Sequence, residues 1–153
     1  MCKFVLTIIM ALLLADTTWA QEPKTPTYVV LHSELESASV VKLQIKIFST
    51  NKKTVDVEAQ CAAIRYILFD GVPNTPYQKP MLSDGEKTLT KKYPAYFNTL
   101  FSDSYSDFIL NYTMLSKFKK AGDDKSTLYE IKVKILQLRE DLEKNNIRKQ
   151  IGI

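Results

Sequence analysis

Val41-Lys42-Leu43-Gln44-Ile45-Lys46-Ile47 is the stretch on which the fold turns. Its aliphatic residues recur at every second position with Lys or Gln between them. Successive side chains of an extended chain point to opposite faces, so the stretch predicts a strand with one apolar and one charged face. Such a strand needs a cover, and one lies downstream. Val57, Cys61, Ile64 and Leu68 fall at i, i+4, i+7 and i+11, the apolar stripe of a helix. Ala59, Ala62 and Ala63 flank that stripe and let the helix lie close against a sheet. Thr54 marks its start, with a hydroxyl that can accept from a first-turn amide. Gly71 marks its end, where a left-handed residue is least strained.

Upstream, residues 28–32 form a short apolar strand, and 33–39 are polar enough to be a turn or irregular crossing. Residues 21–27 hold Pro23 and Pro26 between polar neighbours and form an extended leader. Downstream, 72–85 has no period and contains Pro73, Pro76 and Pro80. A long loop in a small domain is either functional or a connector, so Tyr77, Lys79 and Met81 are the candidate binding residues. Leu89, Tyr93, Tyr96 and Leu100 return to helical spacing, supported by Phe97 and Phe101. These aromatics read as a stripe facing the core in preference to a ligand pocket. Pro94 costs ~3 kcal/mol in a helix interior, so the helix kinks or restarts there.

Phe108, Leu110, Tyr112 and Met114 alternate with Asp107, Ile109, Asn111 and Thr113, predicting a strand whose even positions face the core. Residues 119–126 form a polar break. Tyr129, Ile131, Val133 and Ile135 then alternate with Glu130, Lys132 and Lys134, which reads as the second arm of a hairpin with a long loop. Residues 137–145 are helical, with Leu138 and Leu142 on one face. Strands and helices without regular alternation define an α+β fold: two layers, a mostly antiparallel sheet with helices packed on one face. Residues 28–153 make a single domain. The opposite sheet face carries Lys42, Lys46, Lys132 and Lys134. It serves either as a weak anion site or as a solvated surface that discourages edge pairing.

The amino terminus reads as an export signal: Lys3, an apolar run over 4–15, and Ala20 before the polar Gln21-Glu22-Pro23-Lys24. Residues 1–20 are then removed and the chain is periplasmic or secreted. The run is shorter than the ~20 residues that span a bilayer, so no membrane span is expected after cleavage. Lys3 and Asp16 leave together, which keeps the formal charge at +4. That balance is too mild for a nucleic-acid binder. Of the two cysteines only Cys61 remains, so no intramolecular disulfide forms; a leftover thiol can pair with a second chain, but its apolar neighbours favour a small buried hydrophobe.

Reactive constellations are missing from this sequence. The single histidine, His32, lies on an apolar strand without a G-x-S-x-G turn or a cysteine partner and reads as structural. One Cys and one His cannot make a zinc site, and four glycines form no phosphate loop. No cofactor is expected. Asp123-Asp124 lacks the spacing of a calcium loop. Asn111-Tyr112-Thr113 matches a glycosylation acceptor but falls on a strand. The pairs Asp84 with Glu86 and Asp103 with Asp107 are the carboxylates available to a polymer hydrolase. The first reading is therefore a non-enzymatic exported module that binds a protein or an anionic envelope component. A hydrolase acting on an envelope polymer is the alternative.

The succession Cys61-Ala62-Ala63-Ile64-Arg65-Tyr66-Ile67-Leu68-Phe69-Asp70-Gly71-Val72-Pro73, then Tyr96-Phe97-Asn98-Thr99-Leu100-Phe101, then Leu138-Arg139-Glu140-Asp141-Leu142-Glu143-Lys144, resembles a group of small exported proteins of Bacteroidota with no assigned activity. The strand and helix arrangement is distantly similar to envelope modules of the LPP20 and curli-assembly type. Both resemblances imply an exported module, and neither brings catalytic residues with it.

Overall fold

The alternating stretch takes the position that a strand with one apolar face requires. In the computed structural model, which describes residues 25–49, 51–116, 119–121 and 124–148, β2 (Val40–Phe48) buries Val41, Leu43, Ile45 and Ile47 completely. Lys42, Gln44 and Lys46, on its other face, are half-buried. Before it runs β1 (Thr27–Ser37). After it come α1 (Val55–Phe69), α2 (Glu86–Lys92), α3 (Pro94–Ser102), a 3₁₀ turn (Ser104–Phe108), β3 (Ile109–Met114), β4 (Lys119–Ala121), β5 (Asp124–Lys134) and α4 (Ile135–Lys144). The five strands form one antiparallel sheet in the order β1-β2-β5-β3. Ser126 of β5 pairs with Phe48 on one side and with Lys119 of β4 on the other, so β4 extends the β3 edge. The helices lie on the apolar face, α1 across β1, β2 and β5, and α4 against β2 and the 3₁₀ turn. This is the expected α+β arrangement.

The export signal expected over 1–20 and the leader expected over 21–24 lie outside the described residues. The end of the leader belongs to the fold: Pro26 is buried and Thr27 opens β1. The crossing expected over 33–39 is strand as far as Ser37, and only Ala38 and Ser39 make the turn. Two register shifts, between Val30 and His32 and between Leu35 and Ser37, let this polar edge stay paired with β2. Edge strands tolerate such residues because their outward side chains meet water.

Helix α1 departs from a single stripe. Val57 is exposed, while Val55, Ala59, Ala62 and Ala63 are buried with Cys61, Ile64, Ile67 and Leu68. The helix lies between the sheet and the 3₁₀ turn, so it is covered on more than one side. The Thr54 hydroxyl does not cap an amide. It donates to Glu58 Oε1 at 2.7 Å. Gly71 does end the helix with φ of +87°, and the amides of Asp70 and Gly71 both donate to the Tyr66 carbonyl. A Cβ there would also lie 2.5 Å from the Gln78 carbonyl oxygen.

Pro94 restarts the chain as the first residue of α3, where its missing amide removes no helical hydrogen bond and the ~3 kcal/mol interior penalty does not arise. Leu89, Phe97, Leu100 and Phe101 are buried there, with Tyr93 and Tyr96 half-buried. The even positions of the alternation over 108–114, by contrast, are not in the core beyond Phe108. Phe108 closes the 3₁₀ turn and is buried, but Leu110, Tyr112 and Met114 are 55%, 43% and 44% exposed. Tyr112 pairs with Ile131 and Met114 with Tyr129, so both share the helix-side face. They stay exposed because β3 is an edge strand and α1 lies over β1, β2 and β5. The expected polar break over 119–126 contains β4 and the start of β5, paired to each other. Ile135 opens α4 instead of ending β5. Among the described residues no helix is long and apolar enough to cross a membrane.

Candidate functional site

The loop over 72–85 contains no helix or strand before Glu86, as expected. Its candidate residues differ in exposure. Met81 is turned into the core, Tyr77 is half-buried, and Lys79 alone is exposed. The Val72 amide donates to the Tyr77 carbonyl at 2.8 Å, and the Tyr77 amide to Thr75 Oγ1 at 3.0 Å, so the loop is tied to itself.

The open sheet face has largely satisfied its own charge. Lys42 pairs with Glu34, Lys132 with Glu36 at 2.5 Å, and Lys46 Nζ stands 5.2 Å from the centre of the Phe48 ring. Hydrogen bonds first from Lys42 and then from His32 hold the Glu34 carboxyl below its ordinary range. His32 is exposed beside that carboxylate, with Nε2 3.4 Å from Glu34 Oε2, and is not a core residue. An anion arriving at this face would compete with Glu34 and Glu36.

Three of the four carboxylates singled out for hydrolysis have side-chain partners. Asp84 accepts from the Ser83 hydroxyl, Asp103 from the Ser102 hydroxyl at 2.8 Å, and Glu86 from Arg65. Cys61 is buried, and that burial pushes its thiol up to about 11. Among the described residues no group of three His, Cys, Asp or Glu side chains is placed to hold a metal.

A different constellation is built around Arg65. This residue lies on α1 inside the apolar run Ala62-Ala63-Ile64-Arg65-Tyr66-Ile67-Leu68 and is only 3% exposed. A cation so deeply buried needs compensation. Its Nε donates to Glu86 Oε1 at 2.7 Å, and its guanidinium carbon lies 3.7 Å from the centre of the Phe101 ring. Among the described residues that Nε–H bond is the one hydrogen bond of the Arg65 side chain, and its Nη groups have no partner there. The fully buried side-chain polar atom without a partner among those residues is Thr127 Oγ1.

Arg65 opens into a cleft of about 550 Å³ between α1, α2 and α3. Its deep part is formed by Arg65, Phe97 and Phe101, and its mouth by the exposed Thr25, Lys87, Lys91, Pro94 and Asn98. Lys87 and Lys91 stand one turn apart on α2, so three cations face one carboxylate, Glu86. Each part had a visible signal in the sequence, but no signal joined them. Arg65 is a charge within an apolar helix, Glu86 was grouped with Asp84, and the Phe97 and Phe101 rings read as core. The rings are core residues that also line the cleft. No family model, curated protein or solved structure matches this chain.

Proposed function

We propose that this chain is a non-enzymatic, exported binding module that takes an anionic envelope component in the Arg65 cleft. The observation that carries the reading is a buried guanidinium that donates to Glu86 through Nε and lines a positively charged cleft. A buried ion pair adds little net stability compared with apolar residues of similar volume, so packing alone is a weak reason for this arrangement. The guanidinium fork is well matched to carboxylate and phosphate oxygens. The export signal over 1–20 and the resemblance to exported proteins of Bacteroidota support placing the module in the periplasm or outside the cell.

Inorganic phosphate is the minimal probe. A heteronuclear NMR titration should give weak, saturable shifts at the Arg65 Nε–H and at the amides of 86–91. The double variant Lys87→Glu, Lys91→Glu changes exposed side chains and should abolish them. Shifts confined to Lys42, Lys46, Lys132 and Lys134 would move anion binding to the open sheet face and refute this assignment.

A further inference from the structure

Resting on the reading of the Arg65 cleft as a ligand site, we infer that its ligand is an amphiphile, with an oxyanion held by the Arg65 Nη groups and an apolar body against Pro94 and Phe101. The head group follows from the donor geometry. Glu86 already shows that a carboxylate oxygen fits this guanidinium at 2.7 Å, and it occupies the Nε position, so a second oxyanion meets the Nη edge. The Phe101 ring holds the guanidinium carbon 3.7 Å from its centre, a cation–π contact on one side of the group. Lys87 and Lys91 at the mouth make the site repel cations.

The apolar body follows from size and lining. A bare phosphate or carboxylate displaces only a few waters of roughly 30 Å³ each, which leaves most of a cleft of about 550 Å³ unfilled. That volume suits a small organic ligand, in a range of roughly 300–1,000 Å³. The aromatic wall continues inward from Phe101 to Phe97, whose rings stack with centroids 6.1 Å apart and planes at 22°. Pro94 lies at the mouth, and the Lys87 and Lys91 stems add methylene surface while keeping their ammonium groups in water.

Calorimetric titration of the purified chain with octyl phosphate, octanoate, octanol, octyltrimethylammonium and inorganic phosphate, all below micellar concentration, tests this. At least one octyl oxyanion should bind about tenfold or more tighter than inorganic phosphate, octanol and octyltrimethylammonium, an interval of about 1.4 kcal/mol. The preferred head group distinguishes a phosphate source from a carboxylate source. Lys87→Glu with Lys91→Glu should weaken that binding by about tenfold or more while leaving the unfolding midpoint nearly unchanged. Those exposed positions are used because Arg65→Gln removes a buried partner of Glu86. If inorganic phosphate binds in the cleft as tightly as both octyl oxyanions, the amphiphile inference fails and the anion site stands. If octanol binds equally well, the oxyanion requirement fails. If no probe binds, both the inference and the underlying reading fail.

Discussion

Three phenols anchor the helical layer through single hydrogen bonds to aspartates. Tyr28 reaches Asp70 just past the end of α1 at 3.2 Å, Tyr129 reaches Asp56 at its start, and Tyr96 of α3 reaches Asp141 of α4 at 2.8 Å. Burial is the largest cause, and the paired aspartate the next, of a phenol pKa pushed well above the tyrosine value of 10.0 in each case. A folded-state pKa above the unfolded one gives stability that is fully present below the unfolded value and is lost as pH rises toward the folded one. Cys61 adds a window from 9.0 to about 11 in the same direction. Urea unfolding should therefore show stability falling progressively above about pH 9, more steeply once the tyrosine range is entered. Tyr96→Phe should flatten part of that slope. A pH-independent free energy through the alkaline range would contradict these assignments. Arg65 shows why the candidate site was hard to read at this scale: its partner Glu86 is 21 residues away, and periodicity reports burial without naming the group that compensates a buried charge.

For the strands and helices, legibility depended on whether a predicted apolar face met its cover. In β2, and in β5 as far as Val133, the alternation survives, with Val41, Leu43, Ile45 and Ile47 packed beside Tyr129, Ile131 and Val133. Pro94 was equally readable, because the cost of a proline inside a helix leaves few arrangements and one of them is a restart. The alternation over 108–114 misled because it reports which side chains share a face and not whether a helix extends over that face. The contrast is measurable. Met114→Lys should change stability by no more than about 0.5 kcal/mol, whereas Ile131→Ala, one strand inward, should cost about 2–5 kcal/mol. Equal losses in denaturant titrations would mean that β3 is covered after all. Helix α1 shows the opposite error: a layer on each side spreads its buried residues beyond one stripe, so Val57 was assigned inward and Ile67 was left out.

Across the whole molecule, charge and apolar surface are divided between the two layers. The sheet presents lysines outward and neutralises Lys42 and Lys132 with the carboxylates of β1. The helical layer holds Arg65, Lys87 and Lys91 around one carboxylate and an aromatic wall. The α+β class and the one-sided helical cover were legible from the two periodicities. The cleft was not, because it forms where α1, α2 and α3 meet, and their relative placement is set by tertiary packing. The most direct test is a structure of the chain with octyl phosphate at saturating concentration. The account predicts phosphate oxygens within hydrogen-bond distance of the Arg65 Nη atoms and the octyl chain against Phe101 and Pro94. A phosphate seated among Lys42, Lys46, Lys132 and Lys134, with the Arg65 cleft empty, would contradict it.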